Sequence, residues 1–400
     1  MLFIAEAVTL AHVGRAIRLA SIADHEGFDV VLACDPRYRS LTSQLPFDVR
    51  DIRSVPSEAF LAALARGRPV YSARVLQDYV GDDLAMLEEV RPDAVVGDFR
   101  LSLSVSARKA GVRYINVTNA YWSPYARPDF KLPSLRWVRH MNTFMAERVF
   151  KLVRPIAFAV HAAPMNRVRR SHRMRPLPLD MRHAYVDGDM TLYADLPNAI
   201  PLVNAPAHHR FVGPVTWSPA VARPPWWDRV MAGEAPIYVS FGSSGPSTSP
   251  AMIIEAAASL KRPIVVATAG RRIEGLATVP DLYVADYVDG DAMASKACAV
   301  IGNGGSPTTH QALVHGVPVV GIAGNLDQYL NMSYVERFGA GVLIRSDRAA
   351  AAPIARALRR VVEEASFRER ARAFADAACT LDTARTFARA LRDAVATATQ

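Results

Sequence analysis

The stretch of this 400-residue chain best suited to chemistry is Gly302-Asn303-Gly304-Gly305, followed by Ser306-Pro307-Thr308-Thr309. The apolar run Ala299 to Ile301 before it reads as a buried strand. Glycines permit backbone angles that side chains forbid and let a ligand approach the main chain closely. Ser306, Thr308 and Thr309 open a helix, with Pro307 in its first turn and Gly316 as its stop. Such a junction aims N–H groups and the positive end of a helix at one point, where a phosphate or diphosphate binds. The plain alternative is a tight turn of a doubly wound domain. Val317 to Ile322 is the next strand-like run. Asp327 and Gln328 follow it, at the carboxyl edge of the sheet where α/β ligands sit. A carboxylate beside a carboxamide takes hydrogen bonds from neighbouring hydroxyls; the alternative for Asp327 is a helix N-cap. Phosphate at one end and hydroxyls at the other describe a nucleotide sugar. Ser243 and Ser244, after the strand-like IYVSFG, offer hydroxyls and loop amides for a second phosphate, or simple turn chemistry.

These residues need a scaffold, and the rest of the chain supplies its pattern. Residues 2–8 read as a strand, 9–14 as a loop holding His12, and 15–26 as a helix stopped by Gly27. Phe28 to Ala33 is the next strand. Helices follow at 59–65 and 72–89, then a strand ending at Asp98, a helix over 101–110 and a strand over 113–117. Strands alternating with helices predict a mainly parallel sheet covered on both faces. The same alternation restarts at Pro236, with strands near 237, 263 and 282 and helices at 251–260, 350–378 and 380–396. The proline-rich stretch 218–228 begins a linker. The organisation expected is an N-terminal domain over 1–216, a linker over 217–235, a C-terminal domain over 236–378, and a final helical segment over 379–400. No GxGxxG fingerprint occurs, which removes the main support for a dehydrogenase.

The 400 residues suffice for two domains. No apolar run is long enough to span a bilayer. The N-terminus reads as a strand, not a signal peptide. Cys34, Cys298 and Cys379 are odd in number and widely spaced, which fits a reduced cytoplasmic protein. The net charge of +9 is concentrated: 13 Lys or Arg face three acidic residues between Arg127 and Arg182. That segment mixes cations with aromatics and Met. It reads as a solvated face, as a contact for an acidic acceptor, or as peripheral contact with an anionic membrane through 127–182. No recognisable module accompanies the charge, so nucleic acid is not an expected partner.

The stretch from Asn303 to Gln328 resembles the donor-binding signature of family 1 glycosyltransferases, the GT-B enzymes that use UDP- or dTDP-sugars. Gly304, Gly305, Ser306, Thr308, Thr309, Gly316, Val317, Pro318, Asp327 and Gln328 carry the match, and the Thr-Thr pair is most similar to the bacterial macrolide, sterol and glycolipid branch. Asn303 stands where the family has a diphosphate-contacting His, and Gln311 where many relatives place a Glu on the ribose hydroxyls. An asparagine donates a hydrogen bond but no charge.

The resemblance implies an α/β chain of the GT-B fold: two Rossmann-like doubly wound domains facing each other across a cleft, closing over it to exclude water. It implies inverting transfer of a hexose from a UDP- or dTDP-sugar to a hydroxyl of a small-molecule or lipid-like acceptor. His12 is then the base, since an imidazole takes a proton near neutral pH, and Asp98 orients it. Without the resemblance, His12 reads as a surface or cap residue and Asp98 as a helix N-cap. The donor residues implied are Ser243, Ser244, Val288, Asn303, Gly304, Gly305, Ser306, Thr308, Gln311, Asp327 and Gln328, with the base lying on the backbone around Val288. No cofactor is expected beyond the nucleotide-sugar co-substrate. No metal is required, since a helix N-terminus stabilises the departing diphosphate; Asp187-Gly188-Asp189 and Asp289-Gly290-Asp291 read as polar turns, with a Mg²⁺ or Mn²⁺ site as the alternative. A homodimer is compatible with these readings. A non-catalytic GT-B scaffold and a sugar-nucleotide epimerase are the competing functions.

Overall fold

A computed structural model of the chain describes residues 1–134, 143–242, 248–273 and 279–396. These fall into two compact units, one built from Met1–Arg127, Phe144–Val215 and Leu381–Gln400, the other from Pro128–Thr143 and Thr216–Thr380.

Unit 1 holds strands β1 (Leu2–Ala5), β2 (Val31–Cys34), β3 (Asp48–Asp51), β4 (Ala94–Asp98), β5 (Arg113–Thr118), β6 (Met190–Tyr193) and β7 (His209–Phe211). They form one parallel sheet in the order β3-β2-β1-β4-β5-β6-β7. Its helices are α1 (Leu10–His25), α2 (Arg39–Thr42), α3 (Ser57–Ala65), α4 (Ala73–Val90), α5 (Leu103–Ala110) and α6 (Thr143–Ser171). β1 and β4 are buried along their whole length, as strands covered on both faces must be. Leu2, Ile4, Val95 and Tyr114 pack on Met86 and Leu87 of α4 and Leu103 and Ala107 of α5.

The alternation read from the sequence is present, with differences in detail. β1 ends at Ala5, and α1 begins at Leu10 rather than Arg15. Thr9 is extended and ends the turn, and Gly14 is carried inside the helix at a modest propensity cost. His12 therefore lies in the first turn of α1, not in a loop. The strand β3 is polar and mostly exposed, and the 29-residue α6 runs through Pro155 and Pro164, so neither is marked as an element by its residue types.

Unit 2 begins with α7 (Trp227–Ala232), inside the stretch read as a linker. Its strands are β8 (Ile237–Ser240), β9 (Ile264–Ala267), β10 (Leu282–Ala285), β11 (Ala299–Gly302), β12 (Val319–Ala323) and β13 (Gly341–Arg345). They pair in parallel in the order β10-β9-β8-β11-β12-β13. Around them lie α8 (Pro250–Ala258), α9 (Gly290–Lys296), α10 (Ser306–Leu313), α11 (Leu326–Phe338), α12 (Ala351–Glu363) and α13 (Ala365–Leu381). The expected single helix over 350–378 is two, because Glu364 adopts extended backbone between α12 and α13. One core cluster joins Val239, Ile301 and Ile322 of the sheet to Ile254 of α8 and Leu358 of α12.

The last helix, α14 (Thr383–Ala396), belongs to unit 1. Phe387 packs against Phe3 with ring centroids 6.4 Å apart and planes tilted by 55°, Arg392 pairs with Glu26, and Arg210 pairs with Asp393 at 2.5 Å. Gly213 (φ +89°) allows the chain to pass beneath it: a Cβ there would lie 2.6 Å from Thr383 Oγ1.

Candidate functional site

In both sheets the strand order reverses after the first strand of the unit, between β1 and β4 and between β8 and β11. The crevice at the carboxyl ends beside such a reversal is where doubly wound folds bind ligands. His12 and Asp98 lie at the first of these points.

His12 Nδ1 is 2.9 Å from Asp98 Oδ1. Asp98 therefore does not cap α5; that helix begins at Leu103 after Ser102. The carboxylate is 2 % exposed. It also accepts from Arg15, whose Nε lies 2.5 Å from Oδ2 and Nη2 2.8 Å from Oδ1. Arg15 stands one helical turn beyond His12, so α1 presents both side chains to one carboxylate. Burial opposes ionisation of Asp98, but the charge and hydrogen bonds of Arg15, and then of His12, outweigh it and hold the carboxyl below its ordinary range. Burial likewise opposes the charge on Arg15, and Asp98 overcomes it. The chain of bonds continues: Arg15 Nη1 donates to Asn119 Oδ1 at 2.8 Å, and Asn119 Nδ2 donates to the buried Asp195.

The imidazole is held on its face as well as its edge. Phe99 stacks on it with centroids 4.8 Å apart and planes 9° from parallel. Phe99 has φ +59°, a left-handed conformation that costs a non-glycine residue about 1–2 kcal/mol. Tyr185 and Phe60 hold the Phe99 ring in turn. Beneath, the fully buried Arg100 bonds Glu6 and Asp83, each at 2.9 Å, and lies over the Tyr79 ring at 3.7 Å. Glu6 N–H donates to the Asp98 carbonyl at 3.1 Å, which ties the end of β1 to the end of β4.

In unit 2 the glycine loop links β11 to α10. Gly304 has φ +79°, and a Cβ there would meet Met332 Cγ at 2.6 Å, so only glycine fits. Asn303 folds back onto its own neighbourhood. Its Nδ2 donates to Phe241 O at 3.2 Å, and its Oδ1 accepts from Gly305 N–H at 3.0 Å. The loop is thus braced to the end of β8, and the Gly305 amide is engaged by a side chain. Asn331 completes the brace, with Nδ2 2.8 Å from Gly304 O and 2.9 Å from Thr309 Oγ1. First-turn N–H groups have no acceptor inside their own helix. The first turn of α10 is Ser306, Pro307 and Thr308, of which the proline carries no N–H.

The other sequence-predicted residues divide. Gln328 is buried and completes a capping box: its backbone N–H donates to Asn325 Oδ1 at 3.0 Å and its Oε1 accepts from Asn325 N–H at 3.3 Å, and also from Gly324 N–H at 2.9 Å. The cap of α11 is therefore Asn325 and not Asp327, which lies half-buried in the first turn. Gln311 Nε2 donates to Trp217 O at 2.8 Å and to Ser218 Oγ at 3.0 Å, so it anchors the chain entering unit 2. Val288 is buried in the loop between β10 and α9. Ser243 and Ser244 lie outside the described residues. Asp187 pairs with Arg108 and Arg169, Asp189 accepts from Tyr114 N–H, Asp289 caps α9, and Asp291 pairs with His315. Among the described residues no cluster of three or more His, Cys, Asp or Glu is arranged to hold a metal ion.

Sequence reasoning missed Arg15, Phe99 and Asn331. The spacing of Arg15 from His12 was a usable signal once α1 was known to start early. Nothing in the sequence indicates that Phe99 is left-handed or that Asn331 reaches back to the loop.

A family model described as "Erythromycin biosynthesis protein CIII-like, C-terminal domain" matches residues 251–391. The chain is 47% identical over 378 residues to a PGL/p-HBAD biosynthesis rhamnosyltransferase of Mycobacterium bovis (strain BCG / Pasteur 1173P2), covering 94% of this chain and 84% of that one. It is 46% identical over 378 residues to a PGL/p-HBAD biosynthesis glycosyltransferase of Mycobacterium tuberculosis (strain ATCC 25177 / H37Ra), covering 94% and 88%. Among solved structures, the spinosyn forosaminyltransferase SpnP superposes with a TM-score of 0.70 at 16% identity, covering 99% of this chain and 98% of that one, a likeness of fold. The two parallel sheets have the architecture of that fold, the relatives match nearly end to end, and the chain belongs to the family 1 glycosyltransferases of the macrolide and glycolipid type: it is a glycosyltransferase with the GT-B fold.

Proposed function

We propose that the enzyme transfers a hexose, with inversion, from a UDP- or dTDP-sugar to a hydroxyl of a small-molecule or lipid-like acceptor. The name of the 47% identical relative makes a rhamnosyl group the first sugar to test. The observation that carries the reading is the 2.9 Å bond from His12 Nδ1 to Asp98. With its Nδ1–H donated in a hydrogen bond to the carboxylate, the neutral imidazole keeps a lone pair on Nε2 for an incoming proton. In the proposed step the acceptor oxygen attacks the anomeric carbon as His12 removes its proton. The bond from that carbon to the diphosphate breaks, and the diphosphate leaves with the electron pair. The imidazolium that forms is stabilised by Asp98, and the charge on the leaving group by the N-terminus of α10. Gly304, Gly305, Ser306 and Thr308 form the diphosphate seat, Asp327 and Gln328 meet the sugar, and the Val288 backbone meets the base. Asn303 and Gln311 act on the donor by shaping the loop and its entry. The step calls for no metal or further cofactor. The proposal places the enzyme in the cytoplasm, consistent with three free thiols among the described residues. No described helix is long and apolar enough to cross a membrane.

The test is incubation with radiolabelled UDP- and dTDP-hexoses and a panel of hydroxylated aromatic and lipid acceptors. Transfer or donor hydrolysis that His12→Ala abolishes supports the reading. An altered nucleotide sugar with no transfer product would instead assign an epimerase, and donor turnover unchanged in His12→Ala would remove the base.

A further inference from the structure

The large apolar side chains that unit 1 leaves in solvent are concentrated on α6. Met145, Val149, Leu152, Val153, Ile156 and Val160 are all exposed, with Leu152 at 79 % and Ile156 at 68 %. At 100° per residue they share one stripe, about 100° wide, running roughly 24 Å along the helix. The stripe is held in place from behind. Phe158, Ala162, Met165 and Val168 are buried, and Met165 and Val168 join the cluster formed by Leu76, Tyr79 and Val105. Cations frame it. Arg148 and Lys151 are exposed on one flank, and Arg167, Arg170, Arg173 and Arg175 are exposed beyond its C-terminal end. Residues 145–175 hold eight Lys or Arg and one Glu.

We propose that this face of α6 docks the enzyme on an anionic lipid bilayer, with the apolar stripe at the acyl boundary and the cations among the headgroups. A helix with an apolar stripe and flanking Lys and Arg lies in the membrane interface in this manner, and anionic headgroups attract each nearby cation. A second copy of this chain fits less well, because pairing two such stripes brings two strongly basic segments together. The inference needs only the helix face. Its link to a lipid-like acceptor, which docking would bring within reach of unit 1, rests on the function proposed above.

The experiment is co-sedimentation of the full-length protein with vesicles of phosphatidylcholine containing phosphatidylglycerol, and with phosphatidylcholine alone. Wild type should bind the anionic vesicles and lose binding as salt is raised. Leu152→Glu/Ile156→Glu should weaken that binding about tenfold or more, and Arg167→Glu/Arg170→Glu should act in the same direction. Unchanged melting temperatures would show that the variants are folded. Equal binding by the Leu152→Glu/Ile156→Glu variant, equal binding to both vesicle types, or no vesicle binding by wild type would overturn the proposal. So would a dimer in sedimentation equilibrium that the same variant dissociates, since the face would then be a self-interface. No donor or acceptor is present in these assays, so a failure of the proposed transfer reaction leaves their outcome untouched. Activity on a water-soluble acceptor should be unchanged in Leu152→Glu/Ile156→Glu.

Discussion

Replacing Asp98 by asparagine tests the proposed base most directly, because size is kept while charge and hydrogen-bonding character change. The carboxylate serves three donor atoms: His12 Nδ1, Arg15 Nε and Arg15 Nη2. An asparagine offers one oxygen and one NH₂. With its oxygen toward the buried Arg15, the NH₂ faces His12 Nδ1, which must then accept. That places the imidazole proton on Nε2, the wrong tautomer for a base, and removes the anion that stabilises the imidazolium. A change of this kind costs on the order of a thousandfold or more in kcat, or about 4 kcal/mol of transition-state stabilisation. Stability falls too, since Arg15 is 11 % exposed and loses its counter-charge. Breaking a buried pair from one side costs roughly 3–5 kcal/mol, and the asparagine oxygen recovers part of that. The two effects separate in the double variant Asp98→Asn/Arg15→Gln. Its melting temperature should recover toward wild type while kcat does not. Steady-state kinetics and thermal melts on the four proteins of this cycle are the assay. A folded Asp98→Asn enzyme within about threefold of wild-type kcat would refute the reasoning. A double variant that recovers kcat together with stability would assign the loss to folding and not to the dyad.

UDP or dTDP at about 100 times its dissociation constant should add about 2.7 kcal/mol of stability, read as a rise in melting temperature; no shift with either nucleotide would remove the diphosphate seat. Gly304→Ala places a methyl 2.6 Å from Met332 Cγ at φ +79° and should lower nucleotide affinity at least about tenfold. Adding Met332→Ala should recover only part of it, since the backbone strain remains. Stability should also fall in acid through two groups. The carboxyl of Asp98 is held below its ordinary value when folded, so its contribution is present above the unfolded value, about 3.9, and is lost as pH falls through the folded one. His209 is pushed down to about 4 by burial, and further by His208, so the unfolded chain binds its proton first. Stability should therefore drop as pH falls from about 6.5 toward about 4. Denaturant melts across pH should show that slope diminished in His209→Gln.

Much of the scaffold was legible because it is written in local patterns. Strands such as AVVGD and VVGIA are short apolar runs, Gly27 and Gly111 end their helices in the left-handed conformation, and repeated strand–helix alternation permits few arrangements besides a parallel sheet. The start of α1 was not legible, because Gly14 and the absence of a capping carboxylate conceal a helix that the fold supports from the other side. α6 was obscured by Pro155 and Pro164 and by a stripe that points to solvent in place of a core.

The donor loop shows where local information stops. Its glycines announce a close approach of backbone to something, and the order strand, loop, helix announces an anion. Residue types in sequence could not say that Asn303 braces the loop against Phe241, that Gln328 closes the capping box begun by Asn325, or that Gln311 anchors Trp217. Nor could they say that Arg15 shares Asp98 with His12 across more than eighty residues of chain. Periodicity and turn chemistry act between neighbours and are recorded in neighbouring letters. The partner of a buried polar group is chosen by desolvation, which obliges it to bond whatever the packed chain brings within reach.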